Sequence, residues 1–309
     1  MMRAYFREFS VAAALALWLA VLAILAPGFF QAQPLLSLLS REAPTLVVAI
    51  GMAAVMITRQ IDISVGSQFA ICGVCSGWLA AHQWPVWATL LASLGIGAAL
   101  GGINGVLVAW LRLPSIVVTL ATMVTWREGL RWLRQGQFVN LPEGYQWFGL
   151  PQSTGQWSLI LGALGLLLTM AFLSRNLALG RFFYAVGSDA EAARLSGIRP
   201  PWVTFAGFLL LGALTGLAAW MNTVQSPQVD PKAGAGLEMK AIAAAVVGGV
   251  AVSGGKGNLW GVLIGLLLLA SVNPALTHLR VEAYWEKAIQ GLIILCAVAA
   301  DGWRNRGDR

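Results

Sequence analysis

The chain has 309 residues, a mean hydropathy of +0.73 and only 11% charged residues, a composition that belongs to polytopic membrane proteins. A soluble domain is excluded, because the longest polar stretches, around 135–156 and 174–201, are no larger than loops. The net charge of +7 requires no nucleic acid as partner, since Lys and Arg hold membrane loops on the cytoplasmic side.

In chain order, Arg3 and Arg7 precede the apolar run Val11–Leu25, and Gln31-Ala32-Gln33 follows it. That pattern has the outline of a secretory signal, but the spans beyond it favour an uncleaved first transmembrane helix. A helix needs roughly 20 apolar residues to cross the hydrocarbon core. On that rule about ten spans are predicted, over 9–29, 43–58, 66–83, 86–111, 115–134, 157–174, 202–222, 237–252, 258–278 and 284–301. Lipid offers no hydrogen-bond partner to the backbone, so these are helices or irregular segments buried in protein. Gly66 and the stretch 254–257 are expected to mark irregular turns. The expected fold is an all-α polytopic bundle forming a single transmembrane domain over residues 1–309.

An even number of spans puts both termini on one side. Counting Lys and Arg makes that side the cytoplasm, where it collects Arg59, Arg112, Arg175, Arg181, Arg194, Arg199 and Lys256 with the terminal arginines. Arg127, Arg131 and Arg134 run against this count near the outer end of the fifth span. Glu128 stands one turn from Arg131 and can pair with it.

Gly97, Gly101 and Gly105 form a small-residue stripe followed by Pro114, and Gly257, Gly261 and Gly265 form another followed by Pro274 at the same distance. Both stripes suit close helix packing. They fall in the fourth and ninth spans, which cross in opposite senses, as two inverted five-helix halves would require. Chance recurrence of Gly-x-x-x-Gly is the other reading.

No catalytic constellation stands out. Ser253-Gly254-Gly255-Lys256-Gly257 lacks the spacing and the hydroxyl of a phosphate-binding loop, and no His-Glu-x-x-His occurs. His82 and His278 stand alone, so no metal site is expected. Cys72, Cys75 and Cys296 lie in apolar runs and read as helix packing. Intramembrane acids are scarce, which counts against a proton-driven carrier.

Two polar segments remain. In Gln60–Ser67, Asp62 or Ser64 can cap the third span, and Gly66 allows a close approach; a place on a translocation path is the alternative. In Gly234–Ala244, Glu238 and Lys240 open a span on its outer side, either as a solvated helix start or as the rim of an entrance. Asn104, Thr119 and Thr122 lie within spans and either line a path or bond between helices.

Between Tyr184 and Pro200 lies a charged, helix-prone island. Asp189 and Glu191 at its start and Arg194 one turn on follow the order a helix dipole favours. Gly197 can close it, and Pro200 and Pro201 prevent its continuation. A structured helix between spans, too polar for lipid, is a docking knob.

Several segments together resemble the ribose-type permeases of bacterial ATP-binding-cassette importers. They are Ile61–Gly66, Asn104–Val108, Pro114–Thr122, Glu191–Ile198 and Ala241–Gly249, in the expected order along nearly the whole chain. Val186–Arg194 and Tyr284–Gly291 are similar to rhamnose permeases; Thr58–Ser67 and Gly236–Ala244 are similar to permeases for the autoinducer-2 signal. Two departures stand out: Arg59-Gln60 occupies a place where many relatives carry Gly-Gly, and Asn273-Pro274-Ala275 replaces Asn-Gly-Leu.

The resemblance implies a pore subunit, not itself an enzyme, in the bacterial inner membrane. It binds no cofactor; ATP and magnesium are held by a cytoplasmic ATPase partner. A second permease chain, identical or paralogous, completes the pore, and a periplasmic sugar-binding protein delivers the cargo. The island, with Ser188, Asp189, Glu191, Ala192, Arg194, Leu195 and Gly197, corresponds to the ATPase-docking element. Asp62, Ser64, Asn104, Thr119, Thr122 and Glu238 are the candidates for the path. The rival readings are a self-sufficient secondary sugar transporter and an intramembrane enzyme.

Overall fold

The computed structural model describes residues 2–278, together with Trp285, Ala288, Ile289, Gly291, Leu292 and Leu295. The tenth predicted span (284–301), Cys296 and the C-terminal arginines therefore fall wholly or largely outside the described residues. What is described is an all-α bundle. Its helices are α1 (Met2–Leu25), α2 (Ala32–Ile57), α3 (Val65–Ala81), α4 (Val86–Ala109), α5 (Ser115–Arg134) and α6 (Gln152–Asn176), then α7 (Ala178–Ser188), α8 (Ala190–Leu195), α9 (Pro200–Thr223), α10 (Leu237–Val247), α11 (Leu259–Ala270) and α12 (Val272–His278).

Among the described residues, five stretches are long and apolar enough to cross a membrane: α2, α4, α6, α9 and the combined α11–α12. The others fall short for identifiable reasons. The 20 residues of α5 include Arg127, Glu128, Arg131 and Arg134 in its second half, the group that ran against the charge count. The predicted span 237–252 is corrected: α10 has only 11 residues and ends at Gly248, about 16 Å of helix. Beyond it the backbone turns through Gly249, Gly254 and Gly255, all at positive φ, before α11 begins.

α2 and α9 form the centre. Almost every α2 residue from Glu42 to Ile57 is buried, and its Gly51 leaves room for Leu211 and Leu214 of α9. α4 lies along the other side of α9, where a methyl group on Gly97 or Gly101 would overlap the carbonyl oxygens of Gly212 and Phe208. Backbones in such contact gain dispersion energy without side-chain ordering, the packing available when lipid is as apolar as Leu. Gly261 and Gly265 of α11 serve a different partner, the Gly248 end of α10. Gly257 lies before α11 begins and faces Val250 and Ile57 instead, so the expected second stripe is corrected to Gly261 and Gly265, and the two stripes do not have equivalent neighbours.

α1 is fixed to the bundle by Leu22, buried with Phe29, Leu38, Ala270 and Ala275, and by Trp18 Nε1, which donates to Ser271 Oγ at 3.0 Å. At the end of α9 remote from the island, Val139–Asn140 pairs antiparallel with Gln228–Val229. Beneath it Trp220 Nε1 and Tyr145 Oη both meet Thr89 Oγ1, at 3.1 and 2.8 Å, so the polar ends of these aromatic side chains are satisfied where they are buried.

Candidate functional site

α2 ends at Ile57 and α3 begins at Val65, and the seven residues between are a break in the bundle. Gly66 is not that break: it lies in the first turn of α3. At the ends of this strap Gln60 N still bonds to Val55 O and Ser64 O accepts from Ser67 N and Gln68 N, but residues 61–63 have no backbone partner, so they must find partners elsewhere. α5 supplies them. Ser115 Oγ accepts from Ile61 N at 3.3 Å, Thr119 Oγ1 accepts from Ile63 N at 3.1 Å, and Thr119 Oγ1 faces Ile61 O.

Under the strap sits a fully buried polar centre of Asp62, Ser64, Gln68 and Asn104. Asp62 Oδ1 accepts from Ser64 N at 2.8 Å and Ser64 Oγ at 2.6 Å. Its Oδ2 accepts from Gln68 Nε2 and Asn104 Nδ2 at 3.1 and 3.2 Å. Ser64 Oγ in turn accepts from the same two amides, each at 2.8 Å. The expected helix cap is thereby corrected. Neither the Asp62 side chain nor that of Ser64 accepts from the second or third N–H of α3; Asp62 instead closes a turn on Ser64 and ties α3 and α4 together. Thr122 stands apart, half-buried and bonded to Thr119 O of its own helix. Glu238 lies elsewhere.

Glu238 is buried at the start of α10, against Gly66. A methyl group on Gly66 would run into Gly234 O and Glu238 Oε2 and stop 3.0 Å from Arg127 Nη2, so this glycine is where three segments meet. Neighbouring Lys240 reaches back to α2, with Nζ 2.7 Å from Glu42 Oε1.

On the opposite side, the island forms as its sequence suggests. Asp189 precedes α8 and accepts from Glu191 N and Ala192 N at 2.9 and 3.0 Å, which satisfies two free donors of the helix start. Those two N–H groups hold the Asp189 carboxyl below its usual range. The Arg194 guanidinium does the same for Glu191 through its hydrogen bonds. Leu195 is 78% exposed at the tip, and Gly197 closes the turn at φ +85°. A cavity of about 440 Å³ separates Trp110 from Arg194, Gly197 and Pro200.

The island is anchored at the end of α2. Ile57 O, at the end of α2, accepts from Gly255 N at 2.9 Å and lies so close to Gly187 that any side chain there would overlap it. Arg59, at φ +65°, donates Nε–H to Gly187 O at 2.6 Å and an Nη2 hydrogen to Ser188 O. Left-handed backbone favours Gly. Here Arg59 adopts it, and both its bonds go to the island.

Residues 35–298 match the family described as "Branched-chain amino acid transport system / permease component". The chain belongs to this permease family. It is 36% identical over 275 residues to the autoinducer 2 import system permease protein LsrC of Salmonella typhimurium, covering 89% of this chain and 79% of the relative. LsrC of Yersinia pseudotuberculosis serotype O:1b is 35% identical over 297 residues, or 96% and 85% of the two chains. No solved structure matches the permease.

Reasoning from sequence missed Gln68, Ser115, Arg59 and Glu42 in this permease. Gln68 lies one turn beyond Ser64 on the same helix face, a signal that was available. The Arg59 departure was visible, but its partner 128 residues away was not.

Proposed function

We propose that this permease is the pore subunit of an ATP-driven importer that carries a small sugar-like cargo of the autoinducer-2 kind into the cytoplasm. The observation that carries the reading is the island. A capped, ion-paired helix with an exposed Leu at its tip suits a partner protein, and its anchor at Ile57 and Arg59 leads straight to the helix break above Asp62. Force applied to α8 thus reaches the strap that interrupts the bundle, a two-position element of the kind alternating access requires. ATP and magnesium belong to the docked ATPase. A second permease chain completes the pore, and a periplasmic binding protein supplies the cargo. α5, with Ile116, Val117, Leu120 and Val124 exposed along its length, is the surface offered to the second chain. Residues 1–309 act as one membrane domain in the bacterial inner membrane, with both termini in the cytoplasm. The autoinducer-2 cargo rests on the relatives' names; a rhamnose-like deoxysugar is the neighbouring possibility.

The test is affinity purification of the full chain from its native membrane, followed by uptake in liposomes. Recovery with a cassette ATPase, and ATP-dependent uptake of autoinducer-2 or L-rhamnose, supports the reading. Recovery of the chain alone, with uptake that follows an ion gradient, replaces it with the secondary transporter. Reversing charge at Glu191 or Arg194 is expected to abolish ATPase recovery while membrane insertion is retained.

A further inference from the structure

Two charged side chains each leave one buried atom unpaired against Gly66. Arg127 lies two turns beyond Thr119 on α5, and its Nη2 is buried without a hydrogen bond. Glu238, in the first turn of α10, is 7% exposed. Its Oε1 accepts from Gly236 N at 3.3 Å, and its Oε2 is buried without a partner. A methyl group on Gly66 would overlap Glu238 Oε2 and come within 3.0 Å of Arg127 Nη2. The opposite charges therefore stand on either side of one methyl-sized space. Among the described residues they form no ion pair, with each other or with any other group.

Electrostatics and packing oppose each other at this point. Opposite charges attract most strongly where water is excluded, and a buried charge without its partner is costly. Charged side chains inside a membrane bundle ordinarily pair or serve transport. Packing holds these two apart. The backbones of Gly66 and Gly234 touch, so that a methyl group on Gly234 would stop 2.6 Å from Gly66 O. One residue on, Ser67 Oγ donates to Met123 O of α5 at 2.8 Å. Two residues back, Ser64 belongs to the Asp62 centre. Gly66 is thus joined to the strap, and a shift of the strap carries it along.

We propose that Arg127 and Glu238 close into an ion pair in a second conformation of the permease, reached when the strap draws Gly66 out from between them. Pairing satisfies both bare atoms and braces α5 against α10 across the start of α3. With Gly66 in place the pair is open. Packed helices switch between two such discrete arrangements rather than deforming continuously. Position 66 takes glycine because any side chain there would keep the charges apart. The device goes beyond the importer reading and does not depend on it, since neither ATPase nor cargo enters its test.

The experiment is zero-length crosslinking of the full chain in lipid nanodiscs. Arg127→Lys keeps the charge and puts an amine in place of the guanidinium. A membrane-permeant carbodiimide joins an amine to a carboxylate only where the two meet, forming an amide and taking up the water released. Digestion and mass spectrometry are expected to show two crosslinks. One joins position 127 to Glu238. The other joins Lys240 to Glu42, already paired at 2.7 Å, and shows that the reagent reaches the bundle. Adding Gly66→Ala should cut the first severalfold and leave the second. Adding Arg59→Ala instead, which frees the strap from the island, should raise the first severalfold. The Glu42–Lys240 crosslink alone, in Arg127→Lys, overturns the second conformation, and this arm decides even if Gly66→Ala fails to fold. Equal yield with and without Gly66→Ala overturns the role of Gly66. Equal yield with and without Arg59→Ala overturns the link to the strap.

Discussion

Arg59 donates its Nε–H to the carbonyl of Gly187, 128 positions later in the chain, across 2.6 Å. The bond joins the end of α2 to the last turn of α7, and Ser188 O receives a second bond from the same guanidinium. A flexible side chain held at both ends of its fork, on a backbone position that favours Gly, ties the island to the strap carrying Asp62. Arg59→Ala is expected to leave ATPase recovery intact, because α8 keeps its Asp189 cap. Transport per ATP hydrolysed should fall severalfold, and the measurement is sugar uptake against phosphate release in proteoliposomes. Arg59→Gly, which relieves the backbone but removes both bonds, is expected to be just as poorly coupled. Normal coupling in both variants would show that the latch carries nothing.

Asp62 accepts four hydrogen bonds in a centre with no exposure to solvent. Asp62→Asn turns one acceptor oxygen into a donor and sets it against either the Ser64 groups or the two amides. A hydrogen bond to a charged group contributes about 1.5–3 kcal/mol, so the variant is expected to lose stability of that order. Thermal unfolding in detergent reads this directly. Reduced uptake at an unchanged unfolding temperature would instead place Asp62 on the path.

Gly101→Leu and Gly261→Leu each put a side chain into a neighbouring backbone, at Phe208 O and Gly248 O respectively. Overpacking of this kind costs about 1–3 kcal/mol or more, and both variants should unfold at clearly lower temperature. Gly162→Leu is the control. Nothing lies within 4 Å of a Cβ there, and Leu is the better helix former, so that variant should be at least as stable as the parent.

The island is expected to weaken in acid. The Asp189 carboxyl is held below its ordinary value of 3.8 by the N–H groups of Ala192 and Glu191. A depressed carboxyl contributes stability that is fully present above the unfolded value and is lost as pH falls through the folded one. ATPase recovery should therefore hold above about pH 4 and decline below it. Asp189→Asn keeps an acceptor oxygen without a titrating group, and recovery through it should lose the part of that decline due to Asp189. Glu191 is also lowered, by its hydrogen bonds from Arg194, and contributes with the same sign.

Local patterns in the chain fix the class of protein, the order and approximate bounds of most of the described helices, and the island. These are local properties: apolar runs of bilayer length, a cap two to three residues before the N–H groups it serves, and glycines that stop a helix. The sequence also pointed to the Asp62 segment, because an acid between two apolar runs is too costly to leave without partners. The tertiary structure alone decided what those residues do. Asp62 meets Asn104 and Arg59 meets Gly187 because helices far apart in sequence pack side by side, and no periodicity encodes that pairing. Glu42 shows the limit most plainly. On its own helix it is one acid among apolar residues, and only folding brings Lys240 to one of its oxygens.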